Sequence, residues 1–133
     1  MAEAKQILIN NDLDIVTARV EGRNLARALG FGIIDQARIA TAISELARNI
    51  VLYAKSGQMI VRQIENTHQR GIEIMCVDNG PGIADISLVM QDGYSSHRGL
   101  GMGLPGTKRL MDEFEISSQA GVGTTVTVRK WLK

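Results

Sequence analysis

The chain has 133 residues, 44% of them hydrophobic and 22% charged, with a formal net charge of +1. That length and balance predict one soluble globular domain over residues 1–133, large enough to bury a core without covalent staples. The near-neutral charge leaves no bulk basic footprint for nucleic acid or an anionic membrane surface, and a single cysteine excludes an intrachain disulfide.

Met1-Ala2-Glu3-Ala4-Lys5 holds no apolar signal region and no apolar run approaches a bilayer span, so a cytoplasmic protein is expected. Lys5 to Ile9 predicts a first strand, and either Asn11 or Asp12 can cap the helix behind it. Ile15, Ala18, Gly22, Leu25, Ala26 and Leu29 recur at helical spacing, and Gly30-Phe31-Gly32 ends the pattern. A second helix opens at Ile33-Ile34 with Asp35 as its cap and runs to about Ala54, its stripe formed by Ala40, Ile43, Ala47 and Ile50. Gly57 closes a turn. Met59 to Glu65 and Ile72 to Asp78 predict two strands joined by a polar hairpin that carries His68. Cys76 lies inside the second of these apolar runs, as a small core residue would.

Asp78-Asn79-Gly80-Pro81-Gly82 is a dense loop signal. A short helix from Asp85 to Met90 is expected, then a lid over Gly93 to Arg98. The run Gly99 to Gly106 leads into a helix that reaches about Glu113. Phe114 to Ser118 and Thr124 to Trp131 predict the last strands. Hairpin strands with helices between them indicate an α/β two-layer sandwich. Phe31, between two glycines, and Trp131 are each open to reading as exposed anchors, with core packing favoured for Trp131.

Four stretches carry chemistry. Glu45 and Asn49 are four residues apart and share a helix face. An amide oxygen there suits Mg²⁺, and a carboxylate suits a proton from an attacking hydroxyl. The same pair also fits a surface carboxylate and a helix-terminal Asn. Asp78 at a strand end can accept from the amine of a planar base that Gly80 and Gly82 let in close, or can form an ordinary Asx turn. Gly99, Gly101 and Gly103 run into a helix start, with Pro105 in its first turn; this is a phosphate cradle or a plain turn. Thr124, after Gly123, offers a hydroxyl or simply favours a strand.

Taken in order, E-x-x-x-N (Glu45, Asn49), D-x-G-x-G (Asp78, Gly80, Gly82), G-x-G-x-G (Gly99, Gly101, Gly103) and G-T (Gly123, Thr124) resemble the Bergerat-type ATP site of the GHKL superfamily. Gyrase, Hsp90, histidine kinases and MutL share that site. The resemblance implies a mixed, mostly antiparallel sheet covered on one face by helices, with ATP between the two layers under a flexible lid. It implies that Asp78 binds the adenine amine with help from Thr124, and that Gly80 and Gly82 shape the adenine wall. Gly99, Gly101 and Gly103 then make room for the phosphates, the helix from Leu104 points its positive end at them, and Arg98 neutralises their charge. Asn49 binds Mg²⁺ and Glu45 is the general base.

Gyrase, Hsp90 and MutL relatives carry a further domain with a catalytic lysine, for which 133 residues leave no room. Histidine kinases carry a phospho-accepting His on a preceding helix, whereas here the histidines are His68 and His97. The chain is closer to the small serine kinases of bacterial partner switching. Asp35 to Ile39, Ser44 to Asn49, Gly101 to Gly106, Lys108 to Phe114 and Lys130 to Leu132 resemble the switch-protein kinases of the stressosome. Sporulation-type anti-sigma kinases show His-Gly-Tyr or similar after the asparagine, where Val51-Leu52-Tyr53-Ala54 stands here. The resemblance implies an ATP-dependent kinase that phosphorylates Ser or Thr on STAS-domain partners. On release it activates a downstream regulator such as a PP2C-type phosphatase. Arg19 matches an arginine with which sporulation relatives hold their STAS partner, and Arg23 lies beside it; a solvated helix face accounts for both equally well. The alternatives are an anti-sigma factor or ATP-latched binding protein, and a small ATPase without transfer.

Overall fold

A computed structural model describes residues 4–81 and 103–133. Strand β1 (Lys5–Ile9) leads into helices α1 (Asp12–Leu29) and α2 (Ile33–Asn49), and a π-helical turn (Ile50–Ala54) follows α2. Strands β2 (Gly57–Glu65) and β3 (Arg70–Asp78), helix α3 (Gly103–Leu110), and strands β4 (Glu113–Gln119) and β5 (Gly123–Trp131) complete the described elements. The strand order is β1-β2-β3-β5-β4, and every described pair is antiparallel.

Alternation sorts the sheet into two faces. Ile7, Met59, Cys76 and Val126 align across four strands, as do Val61, Ile74 and Val128 across three, and all seven are buried. This face packs against α1 and α2. Ile15, Ala18, Ala26 and Leu29 from α1 meet Ile39, Ile43, Leu46 and Ala47 from α2 in one core. Each fully buried Ile contributes roughly 1.5–3 kcal/mol. The other face carries Arg62, Glu73 and Arg129 on one rung. Arg62 Nε donates to Glu73 Oε1 at 2.6 Å and Arg129 Nε to Oε2 at 2.8 Å. A buried carboxylate held by two guanidinium groups replaces apolar cover there.

Local chemistry sets the helix ends. Asn11 Oδ1 accepts from Asp14 N at 3.1 Å, so Asn11 is the α1 cap, worth about 1 kcal/mol. Gly30 ends α1 in the left-handed region at φ 103°.

Several expectations need correction. Asp35 is not the cap of α2; Gly32 holds that position and Asp35 lies in the first turn, 3.1 Å from Arg38 Nη1. Phe31 is no surface anchor but is 4% exposed, folded under the α1–α2 turn while Gln36 Nε2 donates to its carbonyl. Trp131 is half-buried on the uncovered sheet face, where its Nε1 donates to Glu113 Oε2 at 2.6 Å. The helix expected to reach Glu113 ends at Leu110, because Lys130 Nζ takes the Leu110 carbonyl at 2.9 Å and β4 pairs Glu113 with Arg129. The turn before β2 puts its positive φ on Lys55 (71°), not on Gly57. Gly57 is required for another reason: a Cβ there would lie 2.6 Å from the Val77 carbonyl oxygen.

Candidate active site

The described part of the site forms where four strands meet at one end of the sheet. Gly57 opposes Asp78, Asp78 opposes Thr124, and Thr124 opposes Ser118. Asp78, Thr124 and Ser118 share the helix-covered face with Cys76, Val126 and Ile116, because each is two residues along its strand from one of them. The apolar run before Asp78 thus delivers a carboxylate to the mouth of the core.

Tight backbone packing holds the loop after β3. Asp78 Oδ1 accepts from Gly80 N at 2.9 Å, the Asx turn expected of Asp-Asn-Gly. A Cβ on Gly80 would lie 2.6 Å from the Ala54 Cβ, so this glycine lets the loop close on the π-helical turn. Gly123 has φ 149°, and a Cβ there would overlap the Asp78 carbonyl oxygen. Gly121 N donates to Pro81 O at 2.7 Å, which ties the β4–β5 turn to the same loop. Asp78 Oδ1 is occupied by the turn, which leaves Oδ2 as the second acceptor oxygen of this carboxylate.

Glu45 and Asn49 lie in the last turn and a half of α2. Glu45 is 8% exposed, and Arg48 Nη1 sits 3.2 Å from its Oε2. Asn49 ends the α-helix and makes no side-chain capping hydrogen bond. The π-helical turn then carries the chain to Ala54, against Gly80. This turn ties the helix bearing Glu45 and Asn49 to the loop bearing Asp78. Widened turns of this kind recur at functional sites. No signal in residues 50–54 distinguishes it from an ordinary helix end, and the sequence predicted plain helix there.

Helix α3 starts at Gly103, whose φ is 64°, and packs against α2. Pro105 is in its first turn as expected, and Pro105, Gly106 and Thr107 are buried. Leu104 packs against the core from a half-buried position. Gly82, Arg98, Gly99, Gly101, the lid over 93–98 and the helix over 85–90 lie outside the described residues. Cys76 is 4% exposed; burial pushes its thiol far up, and the Asp78 charge adds to this, so it is an inert core group.

Comparison with known proteins now bears on this geometry. The family model for histidine kinase-, DNA gyrase B- and HSP90-like ATPases matches residues 34–133. The serine/threonine-protein kinase RsbT of Bacillus subtilis is 54% identical over 133 residues, covering 100% of both chains. The chain belongs to this ATPase family, among its RsbT-type serine/threonine-protein kinases. An anti-sigma F factor of Caldanaerobacter subterraneus is 32% identical over 106 residues, 75% of this chain and 73% of that one. Among solved structures, the RsbU and RsbW domains of a Mycobacterium tuberculosis protein align with TM-score 0.69 at 18% identity, over 98% of this chain and 33% of that one. The mycobacterial sensor histidine kinase MprB aligns with TM-score 0.57 at 16% identity, over 98% of this chain and 97% of that one. These two show the shared fold. An RsbT-type member of the ATPase family uses ATP, and the site residues suit it. They offer an acceptor oxygen at a strand end, glycines that admit close approach, and a helix that starts on a left-handed glycine. Among the described residues no group of three or more His, Cys, Asp or Glu could hold a metal ion. The Asn49 side-chain amide oxygen is a donor of the kind Mg²⁺ takes. No described helix is long and apolar enough to cross a membrane.

Proposed function

We propose that this RsbT-type kinase transfers the γ-phosphoryl group of ATP to a Ser or Thr hydroxyl on STAS-domain partner proteins. On this reading it then leaves that assembly and activates a downstream regulator such as a PP2C-type phosphatase. It works in the cytoplasm, where its ATP is. The observation that carries the reading is the joining of two half-sites, Glu45 with Asn49 and Asp78 with Thr124, through the π-helical turn and Gly80. It stands in a chain that matches RsbT along its whole length.

Phosphoryl transfer depends on positioning and charge neutralisation more than on covalent chemistry by the protein. Asp78 accepts from the adenine amine, and Thr124 supplies a second polar contact beside it. Gly80 and Gly82 bound the base, while Gly99, Gly101 and Gly103 give the phosphates backbone room. The positive end of α3 at Leu104 faces them, and Arg98 adds charge from the lid. Asn49 would hold Mg²⁺, which when bound would supply Lewis-acid charge. Glu45 takes the proton of the incoming hydroxyl, and Arg48 sets the direction of its carboxylate.

The partner face we assign is the outward side of α1. Leu13, Val16 and Val20 are 76%, 44% and 47% exposed, and Arg19 and Arg23 are exposed on the same helix. Apolar groups beside arginines match the composition of interface cores. The anti-sigma and ATP-latched binding readings are weaker, since the anti-sigma F factor matches three quarters of the chain at 32% identity while RsbT matches all of it at 54%.

The test is incubation of the purified chain with Mg-ATP and STAS-domain proteins encoded beside it, with phosphate located by mass spectrometry. Phosphoserine or phosphothreonine on a STAS protein, lost with Glu45→Ala, supports the reading. Tight partner binding without phosphate on any protein replaces it with the ATP-latched binding protein.

A further inference from the structure

Three stretches that carry the resemblance to the switch-protein kinases supply no residue to the proposed chemistry: Asp35 to Ile39, Lys108 to Phe114 and Lys130 to Leu132. In the fold they meet at one atom, Lys130 Nζ. Lys130 opposes Ile72 and continues the helix-covered face of Val126 and Val128, so its side chain runs between sheet and helices and is 9% exposed. Its Nζ donates to the Leu110 carbonyl oxygen at 2.9 Å and lies 3.9 Å from Asp35 Oδ1 and 3.8 Å from Asp112 Oδ1. Leu110 is the last residue of α3, and Asp35 lies in the first turn of α2. One buried ammonium thus ties the far end of α3 to β5, beside the start of α2. Taking a charge out of water is costly, and a methionine of similar length would fill the same space without that cost.

We infer that Lys130 is a positioning residue: by fixing the last turn of α3 to the sheet it sets where the first turn of that helix lies, and with it the hold on the phosphates of the nucleotide. The inference rests on the reading that α3 points its positive end at those phosphates. The helix has eight residues and is about 12 Å long, so a displacement of Leu110 is carried to Gly103 and Leu104. The field of a helix end falls off within one turn, which makes its placement matter. Packing against α2 holds α3 along its flank. The bond from Lys130 reaches a carbonyl, whose dipole runs along the axis, and so fixes the helix in that direction. Asp78 and Thr124, which hold the base on this reading, belong to β3 and β5 instead. Loss of the lysine therefore acts on the phosphate half of the site and spares the base half.

The test compares Kd for ATP with Mg²⁺ and for adenosine, which keeps the base and lacks the phosphates, on the full chain and on Lys130→Met. With melting showing the variant to be folded, ATP affinity is expected to fall about 3- to 10-fold while adenosine affinity stays within about 2-fold. A purely structural lysine would lower the melting temperature and leave the ratio of the two affinities where it was. An unchanged ratio in the folded variant refutes the positioning role, while a preference of the natural chain for ATP over adenosine keeps the phosphate reading. If the natural chain binds ATP no more tightly than adenosine, the phosphate reading fails and the positioning role fails with it. Should Lys130→Met not fold, Lys130→Gln, which keeps a donor on a stem one bond shorter, is read by the same ratio: a fall of about 2-fold or more supports the role and no change refutes it.

Discussion

Arg48 Nη1 sits 3.2 Å from Glu45 Oε2, one turn along α2, and Asn49 follows directly. The carboxylate side chain is 10% exposed and the guanidinium 41% exposed, so the arginine reaches in from solvent to a largely buried acid. On the proposed reading, three functions share the end of one helix: Glu45 as proton acceptor, Arg48 beside its carboxylate, and the Asn49 amide oxygen for a metal. Glu45→Ala is expected to keep ATP affinity within about 3-fold while phosphoryl transfer falls about 10²- to 10⁴-fold, the usual range for a general base. Nucleotide titration beside a radiolabelled transfer assay checks this, and equal loss of both would remove the role given to Glu45.

Asp78→Asn swaps one acceptor oxygen for a donor and removes the charge. Hydrogen bonds to charged groups are worth about 1.5–3 kcal/mol, so ATP affinity is expected to drop about 10- to 100-fold. The Asx turn to Gly80 survives with an amide oxygen in place of Oδ1, so melting should move little. Calorimetric titration together with a melting curve is the measurement.

Gly123→Ala places a methyl group into the Asp78 carbonyl oxygen at a φ of 149°. Strain of this kind costs about 1–3 kcal/mol before any relaxation of the loop. Both a lower melting temperature and weaker ATP binding are expected, because the loop that must move carries Asp78. Gly121→Ala provides the comparison. Its φ is 79°, but its Cβ would meet no neighbour within 4 Å, so it should destabilise less and affect ATP less.

Glu73 sets an acid limit on stability. Burial alone pushes its carboxyl up, but the hydrogen bonds from Arg62 and Arg129 outweigh this and hold it below the ordinary carboxylate value. With the folded value depressed, the unfolded chain binds the proton more readily. The contribution is fully present above the unfolded value near pH ~4.3 and is lost as pH falls through the folded value. Melting curves from pH 7 down to 3 should therefore fall more steeply for the natural chain than for Glu73→Gln. Parallel curves would show that the two arginines do not depress Glu73.

Sequence alone carried most of the architecture. The strands expected at Lys5 to Ile9, Met59 to Glu65, Ile72 to Asp78, Phe114 to Ser118 and Thr124 to Trp131 all form, four of them starting one or two residues earlier or ending one later than apolar spacing indicates, and both long helices form, the second ending at Asn49 and not at Ala54. The four motifs that mark the family were equally legible, because Asp, Asn and Gly at fixed offsets are properties of the chain itself. Only the tertiary structure decided what depends on residues far apart in sequence. Glu73 is an alternation position until Arg62 and Arg129 arrive from neighbouring strands to make burial of its charge tolerable. The end of α3 depends on a lysine twenty residues later, and the burial of Phe31 depends on how two helices fold over it. Ser118 has no signal of its own, since a serine in an edge strand is unremarked until a hydrogen bond binds it to Thr124. Periodicity records which side of an element is buried. It does not record which polar group across the sheet comes to meet a buried charge.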